Sequence, residues 1–458
     1  MRTLALATAL SLAAAPFAVA QTVPGDKPLL RELAGQVQPA RQRADIARMV
    51  GFGTRHTLSD TRSDKRGIGA ARRWVASEFE RISADCGGKL TVATPSQTFT
   101  NNRVPTPTEV MDVLAIKKGT SDPERVIVIS GHLDSRVTDV MNAKDDAPGA
   151  NDDASGVAAV IEASRLLCKH DFPATLVFAA LSGEEQGLLG GKVLADYAVS
   201  QGWRVEANLN NDIVGNSEGI GGVRDNAHVR VFSEGTRTTE SAEEANRRRY
   251  NGGEVDSPSR NLARFMDRVA DEYLTNFDVV MVYRTDRFGR GGDQVEMLRA
   301  GFPAVRVTEA QEHYHRQHQD LRTEKGVKYG DTIDGVDFDY LAQVTRLNVL
   351  TMASLAMAPA PPTGVEISGQ VSPDTTVKWK PSADAAAYRV WWRGTTEPQW
   401  RYARPAGPEG SVTLKGVNID DWFFGVSAVS KDGWESPVVF PGAAGTFERR
   451  PPETKPQG

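Results

Sequence analysis

Cysteine is nearly absent: Cys86 and Cys168 are the only two in 458 residues. A disulfide-dense scaffold is thereby excluded. Neither cysteine stands near residues of catalytic character, which argues against a thiol nucleophile. Both fall near the ends of helical patterns, so a single disulfide between them is the expectation for an oxidising compartment. Positive charge is not in excess either. A formal net charge of −5 supplies no cationic field for nucleic acid or an anionic membrane. Beyond residue 20 no run of about eighteen uninterrupted apolar residues occurs, so no membrane anchor is expected. Histidine is scarce, with seven in the chain, and its clustering late in the sequence is correspondingly informative.

A hydrophobic content of 40% and a charged content of 25% are ordinary for a soluble globular protein, and the length calls for two or three domains. The first twenty residues read as a signal peptide. Arg2 is followed by an apolar run from Leu4 to Ala15, and Ala18-Val19-Ala20 supplies the small-x-small cleavage pattern. Removing residues 1–20 deletes Arg2 and takes the net charge from −5 to −6. The mature protein is expected to be exported, to the periplasm or the medium.

Helical spacing is found over residues 26–50 and 66–83, and again from Gly156 to Cys168 with Ser155 as N-cap. Arg125–Ser130, Thr175–Leu181 and Glu206–Asn211 read as short strands buried on both faces. Strands alternating with helices predict an α/β fold with an open, mostly parallel central sheet flanked by helices. Residues 234–261, rich in Glu, Arg, Ser and Gly, are expected to be a solvated surface insertion. Composition shifts at Ala358-Pro-Ala-Pro-Pro362, a stiff connector. Short strand patterns follow (Thr375–Trp379, Tyr388–Trp392, Ser411–Leu414, Phe423–Ser430) and predict an all-β sandwich.

Chemistry concentrates in turns just after the strands. Gly131-His132-Leu133-Asp134 follows the first; in extended backbone His132 and Asp134 share a face, so one can bind a metal while the other fixes its tautomer. Gly149-Ala-Asn-Asp152-Asp153-Ala-Ser-Gly156 precedes a helix at the position where open α/β sheets hold ligands. Ser182-Gly-Glu184-Glu185 and Asn211-Asp212-Ile-Val-Gly215 follow two further strands. Glu312-His313-Tyr314-His315-Arg-Gln-His318-Gln-Asp320 gathers three of the seven histidines. Any one of these could cap a helix or decorate a surface. Together they form a mixed imidazole and carboxylate set that suits zinc, with a bridging carboxylate as a recurrent two-ion arrangement.

On these motifs, residues from about 45 to 357 resemble the co-catalytic zinc aminopeptidases typified by bacterial leucyl aminopeptidase and aminopeptidase S. The resemblance implies two zinc ions per chain, with His132, Asp152, Glu185, Asp212 and His315 as ligands and Asp152 bridging. It further implies Glu184 as general base toward a zinc-bridging water, Asp134 behind His132, and Tyr314 as donor to the substrate carbonyl. The family's last histidine stands four residues before an aspartate. Here His315 stands five before Asp320 and His318 two before it; Tyr314 favours His315, with His318 second and His313 third. Gly292-Asp293-Gln294 departs from the Ser-Asp-His common in relatives. The implied activity is release of N-terminal residues from peptides or proteins with a free N-terminus. A carboxypeptidase, a glutaminyl cyclase or an inactive peptide-binding module on the same scaffold are the alternatives. The resulting organisation is a signal peptide over 1–20, a zinc peptidase domain over 21–357, and a linker over 358–362. Residues 363–446 resemble a fibronectin type III domain, through Trp379, Tyr388-Arg-Val-Trp-Trp392 and Phe424–Ser430, with a carbohydrate or protein as its expected ligand. A flexible tail over 447–458 completes the chain.

Overall fold

Side chains that alternate in direction along a strand can bury both faces only if both are apolar, and the central strands meet that condition. The computed structural model describes residues 25–453; the expected signal peptide lies outside them. Eight strands form the main sheet: β1 (Thr91–Ala93), β2 (Val113–Lys117), β3 (Asp122–His132), β4 (Ala174–Leu181), β5 (Arg204–Asn211), β6 (His228–Phe232), β7 (Asp278–Val282) and β8 (Ala304–Glu309). Their spatial order is β1-β2-β4-β3-β5-β8-β6-β7. The four middle strands β4, β3, β5 and β8 run parallel, while β2 and β6 join them antiparallel. Ile127 and Ile129 point into one layer with the helices Ala154–Leu167 and Phe338–Met357; Val126 and Val128 point into the other, against Leu189–Ser200 and Gln294–Arg299. The expected α/β class, with a mostly parallel centre, is the observed one.

The chain leaves β3 for β4 on one side and returns from β4 to β5 on the other. This reversal opens a crevice at the C-terminal ends of β3 and β5, where ligands bind in open α/β sheets. Two glycines let the backbones close around it. A Cβ on Gly131 would meet Gly156 C at 2.7 Å, and one on Gly156 would meet Asn211 O at 2.4 Å. The helix after the Asp152 turn begins at Ala154, and its N-cap is Asp153, whose side chain accepts from Gly156 N, in place of the expected Ser155. Residues 26–50 form two helices, Pro28–Gln36 and Pro39–Val50, because the residue before a proline avoids helical backbone.

Residues 234–261 depart from expectation. Only their middle, including the capped helix Ala242–Asn251, is exposed. Glu234, Arg237 and Asp256 are buried, and the segment docks on the C-terminal strands. Arg237 Nη2 donates to Thr446 O at 2.9 Å. Asp256 Oδ1 accepts from Arg264 at 2.9 Å and from Arg393 at 2.7 Å. The polar composition that suggested solvation is consumed in pairs between distant segments. Those C-terminal strands form two antiparallel three-stranded sheets: Thr363–Ser368, Thr375–Lys380 and Ser411–Leu414 in one, Ala387–Gly394, Tyr402–Ala406 and Trp422–Val429 in the other. Residues 447–450, expected within a flexible tail, are held to the main body: Phe447 is buried, and Arg450 N donates to Gly301 O at 3.3 Å. Cys86 and Cys168 stand as free thiols rather than the expected disulfide; burial, with Cys86 beside it, pushes the Cys168 thiol up to about 12.

Replacing Asp256 by Ala would leave the buried guanidiniums of Arg264 and Arg393 uncompensated. Breaking a buried pair from one side costs about 3–5 kcal/mol, so Asp256→Ala should show that loss in chemical unfolding, with a matching fall in Tm.

Candidate metal centre

Four turns converge on the crevice. His132 ends β3, Asp152 lies in the turn before the helix Ala154–Leu167, Glu185 follows β4, and Asp212 follows β5. The fifth member comes from the long loop after β8. His132, Asp152 and Asp212 form one group, and Asp152, Glu185 and His318 a second; within each, the donor atoms lie within 4.8 Å of one another. Asp152 belongs to both. Its Oδ1 is 3.1 Å from His132 Nε2, and its Oδ2 is 3.0 Å from His318 Nε2. Asp212 Oδ1 lies 3.9 Å from His132 Nε2, and Glu185 Oε1 lies 2.9 Å from His318 Nε2. The peptide bond between Asp152 and Asp153 is cis.

The histidine is a correction. His315 was expected, yet its ring packs on Tyr329, with centroids 4.9 Å apart, and on His313 at 5.6 Å. His318 takes a left-handed backbone (φ 50°) and turns inward. Asp320, the residue that spacing made a reference point, serves as an anchor: its N–H donates to Thr138 Oγ1 at 3.1 Å, and its Oδ1 accepts from Thr138 N at 3.2 Å. Counting residues back from Asp320 therefore measured the tie of the loop, not the reach of the ligand. Tyr314 is 58% exposed, and among the described residues its hydroxyl is bonded to no member of the cluster.

Glu184 neighbours Glu185 in a turn that begins with the left-handed Gly183 (φ 79°); of the two, Glu185 is the one grouped with Asp152 and His318. Asp134 does more than was expected of it. His132 Nδ1 is closer to the backbone carbonyl of Asp134, at 3.1 Å, than to its carboxylate, at 3.6 Å. The carboxylate instead accepts from the N–H groups of Glu184 at 3.2 Å and Glu185 at 3.1 Å, and from Thr57 Oγ1 at 3.1 Å. It thereby joins the His132 and Glu185 turns.

Several buried groups were missed from sequence. Asp153 accepts from His132 N (2.9 Å), Gly156 N (2.9 Å) and Ile213 N (3.2 Å), tying three ligand-bearing segments. Asp331 accepts from Asn151 N at 2.9 Å and Asp152 N at 2.7 Å. Arg55 donates to Leu133 O at 2.6 Å and to Gly149 O at 2.9 Å. Arg306, fully buried in β8, pairs its Nη1 with Asp212 Oδ2 at 2.6 Å and lies 3.5 Å from Asp286 Oδ2. A lone arginine in the run Ala304-Val-Arg-Val-Thr-Glu309 was the available signal, since a buried guanidinium demands a counter-charge. Gln294, at the departing position, turns away to donate to Asp286 Oδ2 at 2.6 Å. Asp293 remains at the centre; burial pushes its carboxyl up to about 7, and its Oδ2 has no hydrogen-bond partner.

The donors fit a divalent cation. Glu185 Oε1 is buried without an aligned hydrogen-bond donor, despite the nearby imidazole, so its lone pairs are free to ligate. Burial disfavours charge on His318, but Glu185 and Asp152 outweigh it and raise its pKa to about 10; His132 is raised well above its ordinary value by Asp134 and Asp152 against the same burial. Burial likewise pushes Glu184 well above the usual carboxylate range, with Glu185 adding to it.

Metal must displace the protons of both imidazoles. Zinc uptake by the chelator-treated protein should release protons, and its apparent affinity should go on rising with pH toward about 10, the value to which His318 is raised; calorimetry in buffers of different ionisation enthalpy measures both. His318→Ala should lose bound zinc while His315→Ala keeps it, as read by elemental analysis. Loss of zinc in His315→Ala alone would reverse the ligand choice.

Residues 112–332, which contain every member of this cluster, match the model of Peptidase family M28. A probable zinc metalloprotease of Pyrenophora tritici-repentis is 45% identical over 418 residues, covering 90% of this chain and 86% of that one. Another, from Leptosphaeria maculans, is 44% identical over 422 residues, covering 91% and 98%. Among solved structures, Legionella pneumophila LapA aligns with a TM-score of 0.53 at 17% identity, over 74% of this chain and 79% of its own, and LapB with 0.52 at 17%, over 72% and 75%. With the identity to these relatives extending over nine-tenths of its length, the chain belongs to peptidase family M28, a family of zinc metalloproteases.

Proposed function

We propose that this chain is an exported aminopeptidase that works with two zinc ions, one in each ligand group. The observation that carries the reading is the division of Asp152, whose two oxygens each face a different histidine about 3 Å away. His132, Asp152 and Asp212 would hold one ion, and Asp152, Glu185 and His318 the other. Zinc bound there supplies Lewis acidity, polarising a carbonyl oxygen and making water easier to deprotonate.

The protein's own residues do the rest. Glu184 would take a proton from the attacking water and return it to the leaving amine. Burial, which raises its pKa above the usual carboxylate range, makes it a stronger base than an exposed glutamate, as proton transfer from water requires. Its position is fixed from behind, because Asp134 holds the N–H groups of both Glu184 and Glu185. The hairpin formed by Ser96–Asn101 and Val104–Met111 holds the same turn from outside, with Arg103 Nη1 donating to Glu185 O at 2.9 Å and Asn101 Nδ2 to Gln186 O at 3.1 Å. Asp293, with a buried and unpartnered oxygen, gives a substrate ammonium a site of opposite charge; this favours cleavage next to a free N-terminus. LapA, named an aminopeptidase in one of its structures, lends analogy of fold only.

Export rests on the signal-peptide pattern of residues 1–20. No helix among the described residues is long and apolar enough to cross a membrane. The C-terminal strands are read as a fibronectin type III-like module, a reading supported by two sheets enclosing Val377, Trp379, Tyr388, Val390 and Phe424, with a carbohydrate or protein as its ligand.

Glu184→Gln should retain zinc and fold but lose about 10²–10⁴-fold in kcat on aminoacyl p-nitroanilides. The unmodified protein should cleave these substrates and spare their N-blocked counterparts. Near-normal turnover by Glu184→Gln removes it as the base, and cleavage of blocked substrates removes the exopeptidase reading.

A further inference from the structure

The centre has an acidic side and a basic one. Arg284, Arg287 and Arg290 lie within seven residues of the loop after β7, and two of them turn toward Glu312, in the loop that carries His318. Glu312 Oε1 accepts from Arg230 Nη2 at 2.7 Å. Its Oε2 lies 3.4 Å from Arg290 Nη1, 3.5 Å from Arg287 Nη1 and 3.2 Å from Gln317 Nε2. Three guanidiniums thus share one carboxylate. Asp286, which also faces Arg306 and accepts from Gln294, meets the Arg287 guanidinium only through Nε, at 3.3 Å. The Arg287 side chain is 9% exposed, and its Nη1 is buried with no hydrogen-bond partner. Buried donors are almost always satisfied in folded proteins. Arg287 Nη1 has only the long ion pair with Glu312, a carboxylate it shares with two other guanidiniums, and this excess of positive charge points to an anion supplied from outside.

The place of this patch limits what that anion is. Asp286 contacts Arg306 Nη1, the atom that pairs with Asp212, so the oxygens of Asp212 and Asp286 are separated by no more than the sum of those two contacts. On the other side Gln317, which reaches Glu312, precedes the ligand His318. One extended residue advances a chain by about 3.3–3.6 Å. A peptide with its amino group among the carboxylates would therefore carry a group one or two residues past the scissile bond to the guanidiniums. Arginine forks match a carboxylate in shape as well as charge.

We infer that Arg287 and Arg290, with Glu312 as their brace, form a subsite for a substrate carboxylate on the leaving side of the scissile bond, so that the enzyme selects short peptides or peptides acidic at that position. The inference rests on the aminopeptidase reading and names its substrate class. The carboxylate has two sources, a C-terminus or an Asp or Glu side chain.

The zinc-loaded full chain separates them. Dipeptides sharing one N-terminal residue are compared as free acids and as amides, and X-Asp amides against X-Asn amides. The carboxylate-bearing member of at least one pair should be favoured by about 10–100-fold in kcat/KM, the size of one charge-assisted hydrogen bond, chiefly through KM. That preference should fall toward unity in Arg290→Gln and in the Arg287→Gln/Arg290→Gln double variant, and be partly restored in Arg290→Lys. Arg290 is 35% exposed, so its single variant carries the test if the double variant misfolds. Equal rates within both pairs, or a preference undiminished in the variants, overturn the subsite alone. Bound zinc with no peptide cleaved takes the aminopeptidase reading down with it.

Discussion

One buried carboxylate sets the geometry of the whole crevice. Asp153 receives backbone N–H groups from the end of β3, from the first turn of the following helix, and from the turn after β5. These segments come from three parts of the sequence and meet only because Gly131 and Gly156 remove the side chains that would hold them apart. A polar network in a low-dielectric interior is rigid when every member is satisfied and costly when it is not. Asp134 and Asp331 repeat the device, one for the Glu184–Glu185 turn and one for the Asp152 turn. The Asp152 and Glu185 turns are therefore fixed through their backbones, so their own carboxylates are not spent in holding them.

That solution concentrates negative charge. Burial pushes Asp153 and Glu184 well above the usual carboxylate range, and Asp331 up to about 7. Arg306 and Arg55 offset part of this from beneath and beside the cluster. Desolvating carboxylates costs free energy that hydrogen bonds and opposite charge offset, so cation binding and the stability of this end of the sheet are linked. The basic loop bearing Arg287 and Arg290 carries the opposite imbalance a short distance away.

Much of this was legible in the sequence. The β-branched runs gave the central strands to within a few residues, and turns that follow strands located the His132, Asp152-Asp153, Glu184-Glu185 and Asp212 segments, because the crevice position is a property of the topology; which carboxylate of each pair would face a metal came from the family resemblance. The choice between His315 and His318 was not legible, since it depends on a left-handed backbone and on the distant anchor Thr138. Arg306 escaped because periodicity registers it as an interruption, although its counter-charge is itself a cluster member. The 234–261 segment escaped for the converse reason: its charges looked solvated, while Asp256 and Arg237 find their partners beyond residue 390. Local pattern reports what a side chain needs, and only the fold reports who supplies it.

The pairing of Arg306 with one oxygen of Asp212 makes the two ligand groups unequal hosts. Asp212 offers its remaining oxygen under a fixed positive charge in contact with the other. Glu185 meets no such partner at that range, its nearest guanidinium being Arg136 at 3.9 Å. A divalent ion beside Glu185 and His318 thus meets the fuller negative field, and an ion beside His132 and Asp212 the weaker one. The centre is thus uneven in charge along the line joining its two histidines, the less compensated carboxylate lying at the Glu185 end.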